Sequence, residues 1–410
     1  MRNTLFISLL LFIGQGMYSQ SLDYYINLGL QNSPLLKDYQ NQISSGTIDS
    51  LLMRAYQKPQ VDENSQIWYA PSNSHYGYDE AVTNGGNYSS LVGVSQYFFN
   101  RKMIDNKYEG FRIQKQSVSN TSKISTNDLK RIITNQYLAA YANYKDVTFN
   151  QSFLTLMNQE KDVLRNLVEH GVYKQMDYLT LSIEIQSQEM LIKQLRVMYR
   201  RDGYLLNQLC GLHDTIRTDL SNPDIKRNDP VDIFSSPLFF QYKIDSMQIL
   251  NEKAAVDIRY RPKFNWFADA GFLSSNPLLI QNHFGYSAGI NFSVPIYDGG
   301  RKKLDYQKLS IRENTRLYYK NFFLNQYSQQ IQQLNEELVN TKEMEAQLAA
   351  QLKTSEELVS ISKEQLNMGN ITILELVNAI KNHININRNQ NLMQIREWQV
   401  INEINYLRQQ

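Results

Sequence analysis

Residues 265–272 read NWFADAGF and residues 285–300 read GYSAGINFSVPIYDGG, immediately before a very long helical pattern. In the second run Tyr286, Ala288, Ile290, Phe292 and Val294 alternate with Ser287, Gly289, Asn291 and Ser293. A period of two places all the apolar residues on one face and every small or polar residue on the other, which predicts a strand. The first run alternates less strictly. Phe264, Trp266, Ala268, Ala270 and Phe272 share a face with Asn265, Asp269 and Gly271 opposite, and Phe267 breaks the rule. A polar loop containing Asn and Gly joins the two runs, so the spacing predicts a hairpin, Lys263–Phe272 with Tyr286–Ile296. The alternation by itself fits a half-buried soluble sheet as well as a membrane barrel.

Working outward, the same unit occurs twice. Asn32-Ser33-Pro34-Leu35-Leu36 returns as Ser235-Ser236-Pro237-Leu238-Phe239, and Pro59 returns as Pro262. Further on, Gly93-Val94-Ser95-Gln96 resembles Asn291-Phe292-Ser293-Val294, and Gly171 with Asp177 resembles Gly369 with Glu375. The spacing contracts within the hairpin loop, Pro71 to Gly86 in the first copy, where an exposed segment absorbs length. The division this predicts is a first structural repeat over 20–220, a linker over 221–234 marked by Pro223 and Pro230, and a second repeat over 235–410.

Each copy reads as a helix (22–57, then 238–259), a hairpin, a very long helix and a return helix. The long helices are predicted over 101–169 and 301–367, and the return helices over 176–210 and 372–408. At ~1.5 Å per residue such long helices reach roughly 100 Å, too long for a compact domain of this size. The second carries a seam of alternating three- and four-residue steps, Leu324, Tyr327, Ile331, Leu334, Leu338, Thr341, Glu345, Leu348, Leu352, Ser355, Val359, Ser362 and Leu366. This is coiled-coil spacing with four polar positions, which favours a wet or multi-helix packing over a dry two-stranded zipper. The fold class expected is α+β: duplicated long coiled-coil helical hairpins carrying short β-hairpins.

Composition narrows the function. The 410 residues carry a formal net charge of +2 without a long basic tract, so nucleic acid is not an expected partner. Arg2, the apolar run Leu5–Ile13 and the small Ser19 read as a signal peptide over 1–19. No later run of eighteen apolar residues follows, so an exported chain of this kind is either soluble or inserted as strands. Cys210 is the only cysteine; it cannot form an intrachain disulfide and sits in an apolar helical context. His75, His170, His213, His283 and His383 make no metal-ligand motif, and Gly299-Gly300 lacks the lysine and hydroxyl partner of a phosphate loop. No catalytic residue, metal site or cofactor is expected. The twelve methionines are scattered as packing residues rather than arranged as a metal path.

Taken together, Asn32-Ser33-Pro34, Ser293-Val294-Pro295-Ile296-Tyr297-Asp298-Gly299-Gly300 and the turn Gly369-Asn370-Ile371-Thr372-Ile373-Leu374-Glu375-Leu376-Val377-Asn378-Ala379 resemble the TolC-like outer-membrane efflux protein family. The resemblance covers nearly all of the chain beyond residue 19. It implies a homotrimer whose twelve strands form an outer-membrane β-barrel continued by a periplasmic α-helical barrel. It also implies passive export, with a periplasmic adaptor protein and an inner-membrane RND or ABC pump as partners, as in tripartite efflux or type I secretion. Glu375, Asn378 and Asp177 match the family's periplasmic gate. Asn378 replaces a second carboxylate, and Ile371 stands where some members have a latching arginine. On the same geometry Gly171, Tyr173, Lys174, Gly369, Asn370 and Thr372 are expected at adaptor-contact turns, the side chains exposed. Trp68, Tyr69, Trp266, Phe267, Tyr286 and Phe292 are expected to meet outer-membrane lipid. The competing reading is an exported coiled-coil structural or interaction protein without transport activity.

Overall fold

The computed structural model describes residues 20–71, 75–79, 85–98, 101–213, 219–229 and 232–408. The expected signal peptide, Pro230 and much of the first hairpin loop lie outside them. The helices are α1 (Leu22–Asn32), α2 (Pro34–Tyr56), α3 (Arg101–Glu169), α4 (Gln175–Leu209), α5 (Pro237–Arg259), α6 (Arg301–Asn367) and α7 (Ile373–Leu407). The strands are β1 (Gln60–Tyr69), β2 (Gly86–Phe98), β3 (Lys263–Ser274) and β4 (Phe284–Ser293). Both long helices begin and end at the predicted residues. The first predicted helix is instead two, because Pro34 has no N–H to continue α1 and Ser33 leaves the helical region at ψ 114°. Ser33 then caps α2 by accepting from the Leu36 amide through its Oγ at 3.4 Å. The predicted β4 also ran too far: it stops at Ser293, two residues before Pro295, which cannot donate to a ladder.

The chain forms two compact units, each assembled from segments of both sequence copies. One contains the sheet, with residues 37–122 and 237–323. Its order is β1-β2-β3-β4, antiparallel throughout, so the two predicted hairpins join through β2 and β3. Directly paired residues share a face. One row runs Val94, Ala268, Ala288 and another Phe98, Phe264, Phe292. The opposite face holds Asp269 paired with Ser287, joined by a 2.8 Å hydrogen bond, and Phe267 paired with Gly289. The exception Phe267 therefore has a physical account. Its ring lies over Gly289, where a Cβ would approach it to 2.7 Å. The apolar face carries a polar notch that alternation did not reveal, in which Ser90 donates to the Glu63 carboxylate at 3.0 Å. All of β1 and nearly all of β4 is exposed, and both are edge strands.

The other unit contains residues 123–236 and 324–410, with the described part of 1–36. One cluster surrounds Tyr137, whose hydroxyl donates to the Ser221 carbonyl at 2.7 Å and lies 3.0 Å from that of Gln20. Burial of that phenol pushes its pKa up to about 12. Cys210 is buried in the same cluster, as its apolar setting predicted, and donates to the Tyr25 carbonyl at 3.3 Å. A second cluster joins α3, α4, α6 and α7 through Leu164, Leu181, Leu366, Leu376 and Ile380. All thirteen seam positions of α6 are at least half-buried. The polar Thr341, Ser355 and Ser362 are among the buried ones.

Candidate functional site: the paired helical turns

Two turns reverse the chain within this second unit, Gly171 to Lys174 between α3 and α4 and Gly369 to Thr372 between α6 and α7. Each helix stops the same way. Gly171 and Gly369 both adopt φ 76°, a left-handed conformation that glycine enters without a Cβ clash. Val172 N–H donates to Leu167 O and Asn370 N–H to Gln365 O, both at 2.9 Å, with Gly171 to Val168 O and Gly369 to Leu366 O both at 3.0 Å. These paired bonds satisfy carbonyls that the helix end leaves without an internal partner.

The return helices start differently. The Thr372 Oγ1 accepts from the Glu375 amide at 3.4 Å, and the Thr372 amide donates to Glu375 Oε2 at 2.7 Å, a reciprocal capping box. Those amide and hydroxyl donors hold the Glu375 carboxyl below its ordinary pKa. In the first turn the Lys174 amide donates to Asp177 Oδ2 at 3.0 Å, but a lysine side chain has no acceptor to return the bond. Only half of the box forms there. Glu375 and Asn378 are exposed and lie three residues apart, hence on neighbouring positions of one α7 face. Asp177 occupies the matching place at the start of α4 and is half-buried.

The turns touch each other. Tyr173 reaches across from the first to the second, its hydroxyl 2.7 Å from the Ile371 carbonyl and 2.9 Å from that of Leu366. Val172 packs beside it, with Cγ1 3.3 Å from where a Cβ on Gly369 would lie. Tyr173 is thus half-buried, contrary to its expected exposure, whereas Lys174, Asn370 and Thr372 are exposed as expected. Desolvation raises the phenol pKa, with the Asp177 and Glu375 charges adding to the effect. Ile371 carries no charge, and its carbonyl accepts from the Tyr173 hydroxyl. Alternation and spacing held no signal for this contact, because it depends on how one helical hairpin is laid against the other.

Farther along α7, His383 is buried against Phe149 and Phe153 and bonded to Ser355 Oγ at 2.8 Å. Desolvation lowers its pKa, partly opposed by Glu356. It is a packing residue of the helix cluster. Among the described residues no group of three or more His, Cys, Asp or Glu side chains is placed to hold a metal ion. Nor is any described helix long and apolar enough to cross a membrane.

No protein-family model matches the chain, and no curated protein matches it significantly in sequence. Solved structures match along nearly its whole length. CusC, whose crystal structures concern folding and transmembrane channel formation, aligns with a TM-score of 0.74 at 12% identity over 95% of this chain and 92% of that chain. The chain has the TolC-like fold. The TolC-like match extends to the Campylobacter jejuni CmeC outer membrane channel, with a TM-score of 0.73 at 11% identity over 94% of this chain and 85% of that one. It also includes the outer membrane protein VceC of Vibrio cholerae, with a TM-score of 0.71 at 15% identity over 94% and 95%. At these identities what is shared is the fold, and the turn chemistry described above belongs to this chain.

Proposed function

We propose that the protein is the outer-membrane channel component of a tripartite efflux or type I secretion system, a passive conduit without a catalytic centre. Its working form is a homotrimer in which three four-stranded sheets close a twelve-stranded barrel and the long helices line a periplasmic tunnel. The observation that carries this reading is the sheet: four strands, two unpaired edges, and an exposed apolar face. Val61, Ile67, Phe264, Tyr286, Ile290 and Phe292 of that face are all exposed. Four strands are too few for a membrane barrel, and open edges invite pairing with further copies. A second feature supports the trimer. Met176, Leu179, Ile183, Met190 and Val197 fall on one seam of α4, and all are exposed. Such an apolar stripe fits the flank of a neighbouring copy's helix.

In this assembly residues 20–220 and 235–410 act as two structural repeats joined by 221–234, and 1–19 directs export. Glu375 and Asn378, with Asp177 beside them, form the periplasmic gate. Three Glu375 carboxylates around the axis attract cations, and the capping box fixes their position. Lys174, Asn370 and Thr372, with Gly171, Tyr173 and Gly369 shaping the turns, offer the surface for a periplasmic adaptor and, through it, an RND or ABC pump.

The test is single-channel recording of detergent-extracted protein in a planar bilayer, with the oligomeric mass measured on the same sample. A trimer with small, discrete conductance is expected; a detergent-free monomer or dimer that never inserts overturns the reading and leaves an exported scaffold. In assembled trimers Glu375→Gln should lower cation preference, and selectivity that stays unchanged across pH removes Glu375 from the gate.

A further inference from the structure

The two ends of the sheet differ sharply in charge. At the helix-side end, residues 54–60, 101–107, 257–263 and 298–305 contain eleven lysines and arginines and four aspartates, in a chain whose net charge is only +2. The connections at the other end, 70–85 and 275–283, contain neither lysine nor arginine. All of the helix-side residues belong to the unit that carries the sheet.

Helix electrostatics does not account for this placement. Cations after the C-terminus of α5, such as Arg261, complement its carbonyls. Arg101-Lys102 and Arg301-Lys302-Lys303, however, open α3 and α6, whose first turns contain no acidic residue, although Asp298 just ahead of α6 accepts from the Gly300 and Lys302 amides at 2.8 Å. Cations there oppose the helix dipole. Local pairing absorbs part of the charge: Arg259 meets Asp305 at 2.9 Å, and Lys302 meets Asp257 at 3.0 Å. Asp257 also accepts from the Tyr306 hydroxyl at 2.6 Å. Among the described residues no ion pair within 4 Å involves Lys107, Arg261 or Lys263, although the Arg261 charge, after the Tyr306 and Lys302 contacts, also acts on Asp257.

Those three cations line one cavity of about 230 Å³, whose apolar wall is made by Phe98, Met103 and Ile258. Phe98 begins the row Phe98, Phe264, Phe292 across the apolar face. The Phe264 and Phe292 rings touch, with centroids 4.6 Å apart. A cationic recess therefore continues directly into an aromatic, exposed apolar surface. That sequence of chemistry matches a phospholipid, with an anionic headgroup at the recess and acyl chains along the rings.

We propose that the helix-side rim of the sheet is a binding surface for anionic phospholipids of the periplasmic leaflet, and that the recess formed by Lys107, Arg261 and Lys263 seats one phosphate headgroup. The inference rests on the membrane reading of the sheet. It adds an anchor that sets the depth of the strands from below, where the connections at the opposite end have no lysine or arginine to compete for the same lipid.

The test is native mass spectrometry of the full-length, detergent-extracted protein titrated with phosphatidylglycerol or phosphatidylcholine of identical acyl chains. Retention of phosphatidylglycerol should exceed that of phosphatidylcholine by about tenfold, and Lys107→Gln/Arg261→Gln/Lys263→Gln should bring the two near parity. A control, Lys193→Gln/Lys353→Gln, should keep the preference. Should the triple variant not assemble, Lys107→Gln alone should still reduce the preference. Parity in the unaltered protein, or an undiminished preference in the variants, overturns the proposal. Full competition by inorganic phosphate overturns it too, by making the recess a free-anion site. Trimers that insert and conduct but show parity refute only the lipid surface; a protein that needs no detergent and retains neither lipid refutes the membrane reading with it.

Discussion

Residues 171–178 and 369–376 are the same turn built twice, and they diverge once the glycine has stopped the helix. Both stop a long helix with a left-handed glycine and the same pair of backbone bonds. Beyond that, Lys174 stands against Thr372, Asp177 against Glu375 and Tyr178 against Leu376. The second return helix enters the core at once, with Ile373, Leu376 and Val377 buried in its first turns. The first return helix has no buried residue before Leu181, and Met176 and Leu179 are exposed. The duplicated sequence thus keeps the reversal and divides the labour: one turn is a fixed strut, and the other lies over it and presents an open face.

The largest effect should come from the position where core and surface are most unequal. Leu376 is fully buried, whereas Tyr178 is half-exposed and receives a 3.0 Å hydrogen bond from Arg165. Leu376→Ala should cost about 2–5 kcal/mol in chemical or thermal unfolding, by lost transfer energy and the cavity left behind. Tyr178→Ala should cost about 1 kcal/mol or less. Equal losses would mean that the first turn is as deeply packed as the second.

Next come the glycines. Alanine at either φ 76° position costs roughly 1–2 kcal/mol from the left-handed backbone alone. Gly171 has open space where a Cβ would project, but a Cβ at Gly369 meets Val172 at 3.3 Å. Gly369→Ala should therefore be the more damaging of the two in the same melting experiment. The reverse order would show that the turns do not press together as described. Tyr173→Phe tests the same contact without altering the backbone. Losing the hydroxyl should cost about 1 kcal/mol and, in the trimer proposed above, raise basal conductance by loosening the second turn; unchanged conductance would confine Tyr173 to packing.

Much of this architecture is legible in the sequence, and the parts that are not share a cause. Helix bounds and the α6 seam follow from periodicity, because a long helix repeats one local rule for tens of residues. The glycine stops were legible because a left-handed turn limits the residue type. The family resemblance singles out Glu375 as a gate position, yet its bond to Thr372 and the half-made box at Lys174 separate the two copies only when the amide and side chain are seen together. The inward turn of Tyr173, Phe267 lying over Gly289 and the Glu63 notch depend on contacts between segments far apart in the chain. No local pattern encodes such pairings.

The smallest predicted effect tests the capping difference itself. Thr372→Ala removes the acceptor of the Glu375 amide and should cost about 1 kcal/mol, whereas Lys174→Ala removes no cap and should be close to neutral. Lys174→Thr should then stabilise the protein by a few tenths up to about 1 kcal/mol, since Asp177 already supplies the other half of the box. Proton linkage gives an independent check. Because Glu375 has a depressed pKa in the folded protein, its contribution is fully present above the ordinary carboxylate range and disappears as pH falls through the folded value. The loss caused by Glu375→Gln should therefore shrink on acidification, as the unaltered carboxylate becomes protonated too. A loss that holds constant from neutral to acidic pH would show that Glu375 acts through shape rather than charge, and the difference between the two turns would then reside in Thr372 alone.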